Sequence, residues 1–581
     1  MKLVPLSAGL LAAISGGLSL QTRQPPRVEV GVQMDVNFGE APLPLEDVQL
    51  HTGAGNTISV SCLSLLLSDF ELVHEDGTRV PLTGQVGWIS VADSKLRFRL
   101  PEVPVGDYQS FSFKVGLPPS VNHSDPAKYP PGHPLNPSVS NLHWGWAGGY
   151  VFLAIEGRYE QPGSRLGGYS FHLGNDGNLS KISFSRHFNI VLGSEIRMKF
   201  DVQKLLYGIS ISDGKDTSHS APGDSIAAKI KANVSRSIQL LSISQEPPVG
   251  NSEVEVVQRP HGTTEYALAI PSHFPQPTLP PDNPLTQEGV ELGRKLFNEK
   301  MLSKGNIQSC ATCHAETAAF SDRGKPKSKG VDGQFGSRNS MPLFNLAWSP
   351  AFTWDGRRAR VRDQVLAPIQ DVREMHQTLP QAIDKLEKSQ DYPALFERAF
   401  GSPGITSTRL GLAVEQYLLT IISADSKFDR GLVKRATFTD QEKRGLELFI
   451  SEFNPARGII GGDCFHCHGG NLFSDYQYKN NGLEEASNDY GRQVVTGRKE
   501  DRDKFKVPSL RNVAVTGPYM HDGRFKTLEE VVEHYASGVH RSDTLDPNIA
   551  KHPNGGVKLS AADKKALVAF LRTLTDSRWA K

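Results

Sequence analysis

Residues 310–314 read Cys-Ala-Thr-Cys-His and residues 464–468 read Cys-Phe-His-Cys-His, two CxxCH pentads in a chain of 581 residues. In such a pentad two thiols at i and i+3 reach the two vinyl groups of one porphyrin, and the adjoining imidazole binds its iron. Cys310, Cys313 and His314 are therefore expected to hold one haem c, and Cys464, Cys467 and His468 a second. The alternative, a zinc site, needs a further pair of ligands close to each CxxC, and none is spaced for that. Of the five cysteines only Cys62 lies outside the pentads, so the chain carries no disulfide framework.

A helical pattern leads into each pentad. The segment ELGRKLFNEK (291–300) precedes the first and RGLELFISEF (444–453) the second, an approximate internal duplication. Apolar residues also recur at i, i+3, i+4 and i+7 in TLPQAIDKLEKS, TRLGLAVEQYLLTIISAD, TLEEVVEHYASG and SAADKKALVAFLRTL. Two mainly α-helical cytochrome c type domains are expected, a first over 284–435 and a second over 436–581.

Upstream the pattern changes. VEVGVQMDVNF, ISVSCLSLLL, KLRFRL, SFSFKVGL and YVFLAIEG alternate and are rich in β-branched residues, with Gly, Pro and Asn turns between them. An all-β sandwich is expected over 27–205, interrupted by an irregular Pro-rich loop from Leu117 to Pro137. Residues 206–283 read as a connecting segment, with a Pro- and Gly-rich linker from Gln245 to Asn283. The fold class is thus multidomain, an N-terminal all-β sandwich followed by two helical haem domains.

Residues 1–22 combine Lys2, a run of small apolar residues and the polar QTRQ, which reads as a signal peptide; a single membrane anchor is the alternative. Haem c is attached outside the cytoplasm, so the pentads and the leader agree on a periplasmic protein that does not span the membrane once the leader is cleaved. With 64 Lys+Arg against 63 Asp+Glu, nothing in the charge balance suggests a nucleic-acid partner.

From Leu285 to Lys581 the chain resembles the bacterial di-haem cytochrome c peroxidases, and within them the MauG/MbnH branch. The carrying residues are CATCH, GSRNSMPLFNLAW, the segment Phe352-Thr-Trp-Asp-Gly-Arg357, DQVLAPIQDVREM, CFHCH and KVPSLRNVAVTGPYMHDGRFKTLEEVVEHY. The resemblance makes His314 the proximal ligand of the peroxidatic haem and His468 that of the electron-transfer haem. It makes Glu374 the acid/base for peroxide O–O cleavage, since a proton must move from the near to the far oxygen. It places Trp354 between the haems, Gln364 and Pro368 in the distal pocket, and Asn339, Thr516 and Pro518 around a calcium ion, which prefers such oxygens.

Two departures from ordinary members matter. Between His314 and His376 there is no histidine, which implies a first haem whose sixth position is open, as in the MauG branch. Fourteen residues beyond His521, where ordinary members carry a Met ligand to the second iron, stands Tyr535. A phenolate stabilises ferric and higher states; Met520 and His534 remain the alternative ligands.

The β-rich half resembles the MbnP family of periplasmic copper-binding proteins, through LSDFELVHEDGTRVPL, HPLNPSVSNLHWGWAGGYVFLAIEG and GGYSFHLGNDGN. In that family and its relatives a Trp can be oxidised to kynurenine, which joins imidazoles around copper. Trp144 and Trp146 are the candidates here, with His133, His143 and His172 as imidazole ligands. The W-x-H spacing of some relatives is absent. The MauG-like partner MbnH usually sits in a neighbouring gene, so this chain joins enzyme and substrate, and a flexible tether of about forty residues would hold the Trp at up to roughly millimolar concentration. The reading is an H2O2-dependent oxidase that converts a Trp of its own or another copy's β-domain to kynurenine through a high-valent di-haem state. The rivals are a conventional peroxidase fed by a small cytochrome or cupredoxin, and a non-enzymatic copper-binding protein.

Overall fold

The computed structural model describes residues 25–580 apart from 47–48, 145–148, 162–164, 213, 246–258, 455–457, 486 and 553–554. The leader, Trp146 and the central part of the linker thus lie outside the described residues, as does the side chain of Trp144.

Alternation along Arg27–Phe38 buries Val30, Val32, Met34 and Val36 on one face, the period-two pattern of a half-buried strand. This strand pairs in parallel with Ser194–Asp201, Val32 opposite Ile196 and Met34 opposite Met198, and antiparallel with Arg97–Pro104. A second sheet runs Ser180–Ile190, Gly106–Val115, Cys62–His74, Gly149–Gln161, Arg165–Gly174 and Thr217–Ser218 in spatial order. The two sheets close over one apolar core that includes Leu63, Leu65, Phe111, Phe113, Leu153, Ile155 and Phe200.

That core reaches further along the chain than the composition indicated. The helix Ser225–Ser237, capped by Asp224, packs Ala227, Ile230 and Val234 into it, and the strand Ile238–Gln245 pairs with Ser194–Asp201. Residues 206–245 therefore belong to the β-domain rather than to a connecting segment. A single amphipathic helix and an edge strand carry too little periodicity to stand out next to a Pro-rich stretch. The later part of the linker is also docked: Phe274 is fully buried, Trp348 Nε1 donates to the Pro275 carbonyl at 2.7 Å, and Asn136 Nδ2 donates to Gln276 at 2.9 Å.

The helical half has two cores. The first is built by Gln287–Phe297, Val361–Gln370, Leu379–Glu387, Tyr392–Phe400 and Ser407–Leu419; the second by Asp440–Ile450, Leu528–Ser537 and Ala561–Arg572. The units exchange residues, since Phe428 packs into the second core and Trp579, near the C-terminus, into the first, so a cut at residue 435 separates neither. Among the described residues no helix is long and apolar enough to cross a membrane.

The duplication seen in sequence has a structural cause. In each unit the helix before the pentad crosses a later helix at a glycine. A Cβ on Gly293 would lie 2.0 Å from the Ala413 carbonyl oxygen, and one on Gly445 2.0 Å from that of Ala566. The residues three and four further on, Leu296 and Phe297 or Leu448 and Phe449, are buried in the respective cores. Gly445→Ala is expected to force the helices apart and cost about 1–3 kcal/mol of stability, outweighing the gain of roughly 1 kcal/mol in helix propensity. A lowered thermal midpoint of the haem-loaded protein checks this; an unchanged midpoint would show that the crossing does not need glycine.

Candidate functional site

The helical turn Cys310–Cys313 is opened by a capping box between Ser309 and Thr312 and leaves His314 at its end. His314 Nδ1 lies 3.1 Å from the Phe320 carbonyl, so that nitrogen carries the proton and leaves Nε2, 3.4 Å from Ser340 Oγ, as the one able to take a metal. A cavity of about 560 Å³ adjoins the second pentad, and one of about 800 Å³ opens beside Cys310, Cys313 and His314. The larger cavity gathers Gln364, Pro368 and Glu374, which the resemblance to peroxidases assigned to the distal pocket, and also Trp354, which it assigned to the space between the haems. Among the described residues lining it, His314 is the one histidine. His376 points elsewhere, into an ion pair with Asp332 on the surface.

Burial raises the Glu374 carboxyl above its ordinary value, with a further push from Asp371. A carboxyl so placed holds a proton to higher pH than a solvated Glu and can give and retake it. Trp354 is fixed at both ends, its indole N–H donating to the Asn339 carbonyl at 2.8 Å and its own carbonyl accepting from Lys506 N at 2.7 Å. Lys506, which composition and motif did not single out, lines the same cavity; its ammonium donates to Ala351 O at 2.7 Å, and burial pushes its pKa down to about 8.

Asn339, Thr516 and Pro518 gather around one loop. Asn339 Nδ2 donates to the carbonyls of Lys325 and Pro326, and Gly324 N donates to Gly517 O at 2.9 Å. The Gly517–Pro518 peptide is cis.

At the second pentad His468 Nδ1 donates to Phe473 O at 3.1 Å, again leaving Nε2 for iron. Tyr535 is buried in the second haem unit, and its hydroxyl accepts from Asn481 Nδ2 at 3.1 Å. The same amide lies 3.4 Å from Met520 Sδ. His534 is engaged with the Asn481 carbonyl at 3.0 Å, which removes its Nε2 from competition for a metal.

Of the proposed copper ligands, His143 and His172 line the 560 Å³ cavity, between the β-domain and the second pentad. His133 does not; it stacks on Tyr129 and accepts from Leu135 N at 3.1 Å, so local structure accounts for it. His143 packs edge-on against Tyr150, and burial pushes its pKa down to about 4. Sequence reasoning passed over three residues on the same walls, Cys62, Glu156 and His466. Only the last carried a signal, as a histidine inside a pentad.

Residues 287–437 match the family model for di-haem cytochrome c peroxidases. The methylamine utilization protein MauG of Methylophilus methylotrophus is 30% identical over 305 residues, spanning 52% of this chain and 86% of that protein. The chain belongs to the di-haem cytochrome c peroxidase family. The cytochrome c551 peroxidase of Pseudomonas aeruginosa is 32% identical over 303 residues, spanning 50% of this chain and 80% of the peroxidase. A solved MauG-like protein associated with microbial copper homeostasis is 30% identical and covers 54% of this chain and 98% of its own, with a TM-score of 0.48. Residues 27–221 match the MbnP model. The chain is thus an oxidoreductase of this family, with peroxide as acceptor and two c-type haems, fused to an MbnP domain; the non-enzymatic reading falls away.

The second pentad is braced from behind. Arg511, fully buried, makes paired bonds of 2.9 and 2.8 Å to Asp429 and donates to the Asn471 carbonyl, just ahead of the Phe473 carbonyl that orients His468. Burial alone would raise the Asp429 carboxyl, but hydrogen bonds with His273 and Arg511 outweigh it and hold the group below 3.8. Its folded value being depressed, the stabilisation is present above the unfolded value and lost as pH falls through the folded one. Asp429→Asn leaves Arg511 buried without its counter-charge and is expected to cost about 3–5 kcal/mol. Thermal unfolding at pH 7 measures the loss, which should shrink in strong acid.

Proposed function

We propose that this protein uses hydrogen peroxide to oxidise a tryptophan of its own β-domain, Trp144 or Trp146, to kynurenine, in the periplasm. The observation that carries the reading is the seating of the flanking segment on the second pentad. Asn141 Nδ2 donates to the Asp475 carbonyl at 2.9 Å, and Asp475 N donates to the Cys467 carbonyl at 2.8 Å. His143 lines a cavity that Phe465 and His466 of that pentad also line.

Bound at the two pentads, the haems supply the cleavage of the peroxide O–O bond and hold the oxidising equivalents. Cys310, Cys313 and His314 would carry one and Cys464, Cys467 and His468 the other, and Tyr535 would offer its phenolic oxygen to the iron of the second. Glu374 takes a proton from the near oxygen of peroxide and delivers it to the far one, which leaves as water. Gln364 and Pro368 confine the peroxide in the cavity, and Trp354, held at both ends, offers an oxidisable indole on the wall of that cavity. Two peroxide molecules are reduced to water for each indole ring opened to N-formylkynurenine. Hydrolysis then releases formate and leaves kynurenine, whose amine and ketone join His143 and His172 as ligands for copper. A calcium ion held by Asn339 Oδ1 and the Thr516 and Pro518 carbonyls would fix the loop that carries Trp354's acceptor.

The rival is a conventional peroxidase drawing electrons from a small cytochrome or cupredoxin, and Met520, whose sulfur shares the Asn481 amide, favours it. The ferric spectrum separates the two. Tyr535 ligation predicts no weak far-red band of thioether-bound iron, whereas its presence assigns Met520. Peptide mass spectrometry of the haem-loaded protein before and after peroxide tests the substrate: oxygen should appear within residues 142–150, and its absence there would sink the assignment. Glu374→Gln is expected to slow the reaction with peroxide by about 10²- to 10⁴-fold in stopped-flow measurements, with haem content unchanged.

A further inference from the structure

Three histidines from two domains meet at the boundary between the β-domain and the second pentad. His172 lies on the strand Arg165–Gly174, His219 follows the short strand Thr217–Ser218, and His466 stands between Cys464 and Cys467. Each offers a ring nitrogen within 4.8 Å of those of the other two. The rings converge at angles, with centroids 4.7 Å apart for His172 and His219, 5.1 Å for His219 and His466, and 5.6 Å for His172 and His466.

A packed trio of core histidines would explain proximity but not the rest of the arrangement. One nitrogen of each ring meets a carboxylate. His172 Nε2 lies 2.8 Å from Glu156, while His219 Nδ1 and His466 Nε2 lie 3.0 and 2.8 Å from one oxygen of Glu452. A carboxylate on one nitrogen is how metal-bound imidazoles are oriented and made more basic. The His172 side chain is 91% buried, yet its Nδ1 has no hydrogen-bond partner. Such an atom calls for a ligand, since a buried polar group left without a partner is destabilising.

We propose that His172, His219 and His466 bind one divalent ion of the late first-row series, Cu2+ or Zn2+, which staples the β-domain to the second haem unit. Three imidazoles with carboxylates behind them suit these ions; Glu156 supplies compensating charge, while Glu452 shares its charge with Lys551, whose ammonium lies 3.5 Å from it and 3.4 Å from His466 Nε2. The site differs from the one formed around an oxidised tryptophan: it needs no peroxide, and one of its ligands comes from a haem pentad. His172 is common to both, so the two would be alternatives for that imidazole.

The test uses the haem-loaded full chain, never exposed to peroxide, stripped with chelator and titrated with Cu2+ or Zn2+. One equivalent should bind beyond haem iron. The Cu2+ signal in electron paramagnetic resonance should carry nitrogen couplings and should alter the relaxation of the second haem's ferric signal, which Zn2+ cannot do. His219→Asn, which lies outside the pentad and leaves its cysteines and His468 in place, should weaken binding at least tenfold, and His466→Asn likewise where its haem is inserted. Absence of a bound equivalent, or equal binding by wild type and His219→Asn, would overturn the proposal. Neither outcome bears on whether peroxide oxidises Trp144 or Trp146.

Discussion

The outer face of the strand Gly149–Gln161 carries Glu156 and Arg158, charges that an isolated β-domain would leave in water. Here the second haem unit covers them, and each buried ion left without partners would cost several kcal/mol. Each has partners. Arg158 Nη2 donates to the Leu545 carbonyl at 2.5 Å, and Glu156 meets His172 and the amide of Asn548. At the rim Lys504 reaches Glu46 at 2.6 Å. A slip of one residue would leave these groups unpaired, so the domains have one low-energy orientation rather than a range. Gly168 makes the approach possible, because a Cβ there would lie 1.7 Å from the Pro547 carbonyl oxygen.

This constraint changes what the fusion means. A flexible tether raises local concentration and leaves geometry to chance, whereas a docked domain fixes which surface faces which pentad. The linker supports the second picture. Its described part runs along the helical half, with Phe274 under the Arg511 guanidinium and His273 on Asp429, the same carboxylate that braces the second pentad. The β-domain, the linker and the haem unit therefore share one buried electrostatic framework. Loosening it at Asp429 should be felt both in stability and at His468.

Much of this was legible in sequence, for reasons of range. The pentads are five-residue motifs, the helices leading into them repeat a Gly-x-x-Leu-Phe pattern, and the strands alternate; each signal is local. The pocket residues Glu374, Trp354, Gln364 and Pro368 came from a resemblance and fall on one cavity. What escaped was long-range. Nothing near Ile238–Gln245 announces that it will pair with Ser194–Asp201. Nothing near His172 or His219 announces His466, hundreds of residues on in another domain. Glu156 reads as an ordinary outward-facing strand carboxylate until its cover is known. Trp144 and Trp146, legible as candidates, have no side-chain position among the described residues.

A docked target also sets the arithmetic of turnover. On the proposed reading each chain carries its own substrate segment, so oxidation within the chain ends once that segment is converted. Peroxide arriving later still meets Glu374 and the same cavity, and its oxidising equivalents must go to an external donor or to other oxidisable side chains of the chain itself. Trp354, half-buried on the cavity wall, and Met341 and Met375, which also line it, are among such groups. On that same proposed reading, continuous peroxide clearance would damage the cavity itself, whereas a single self-maturation would not.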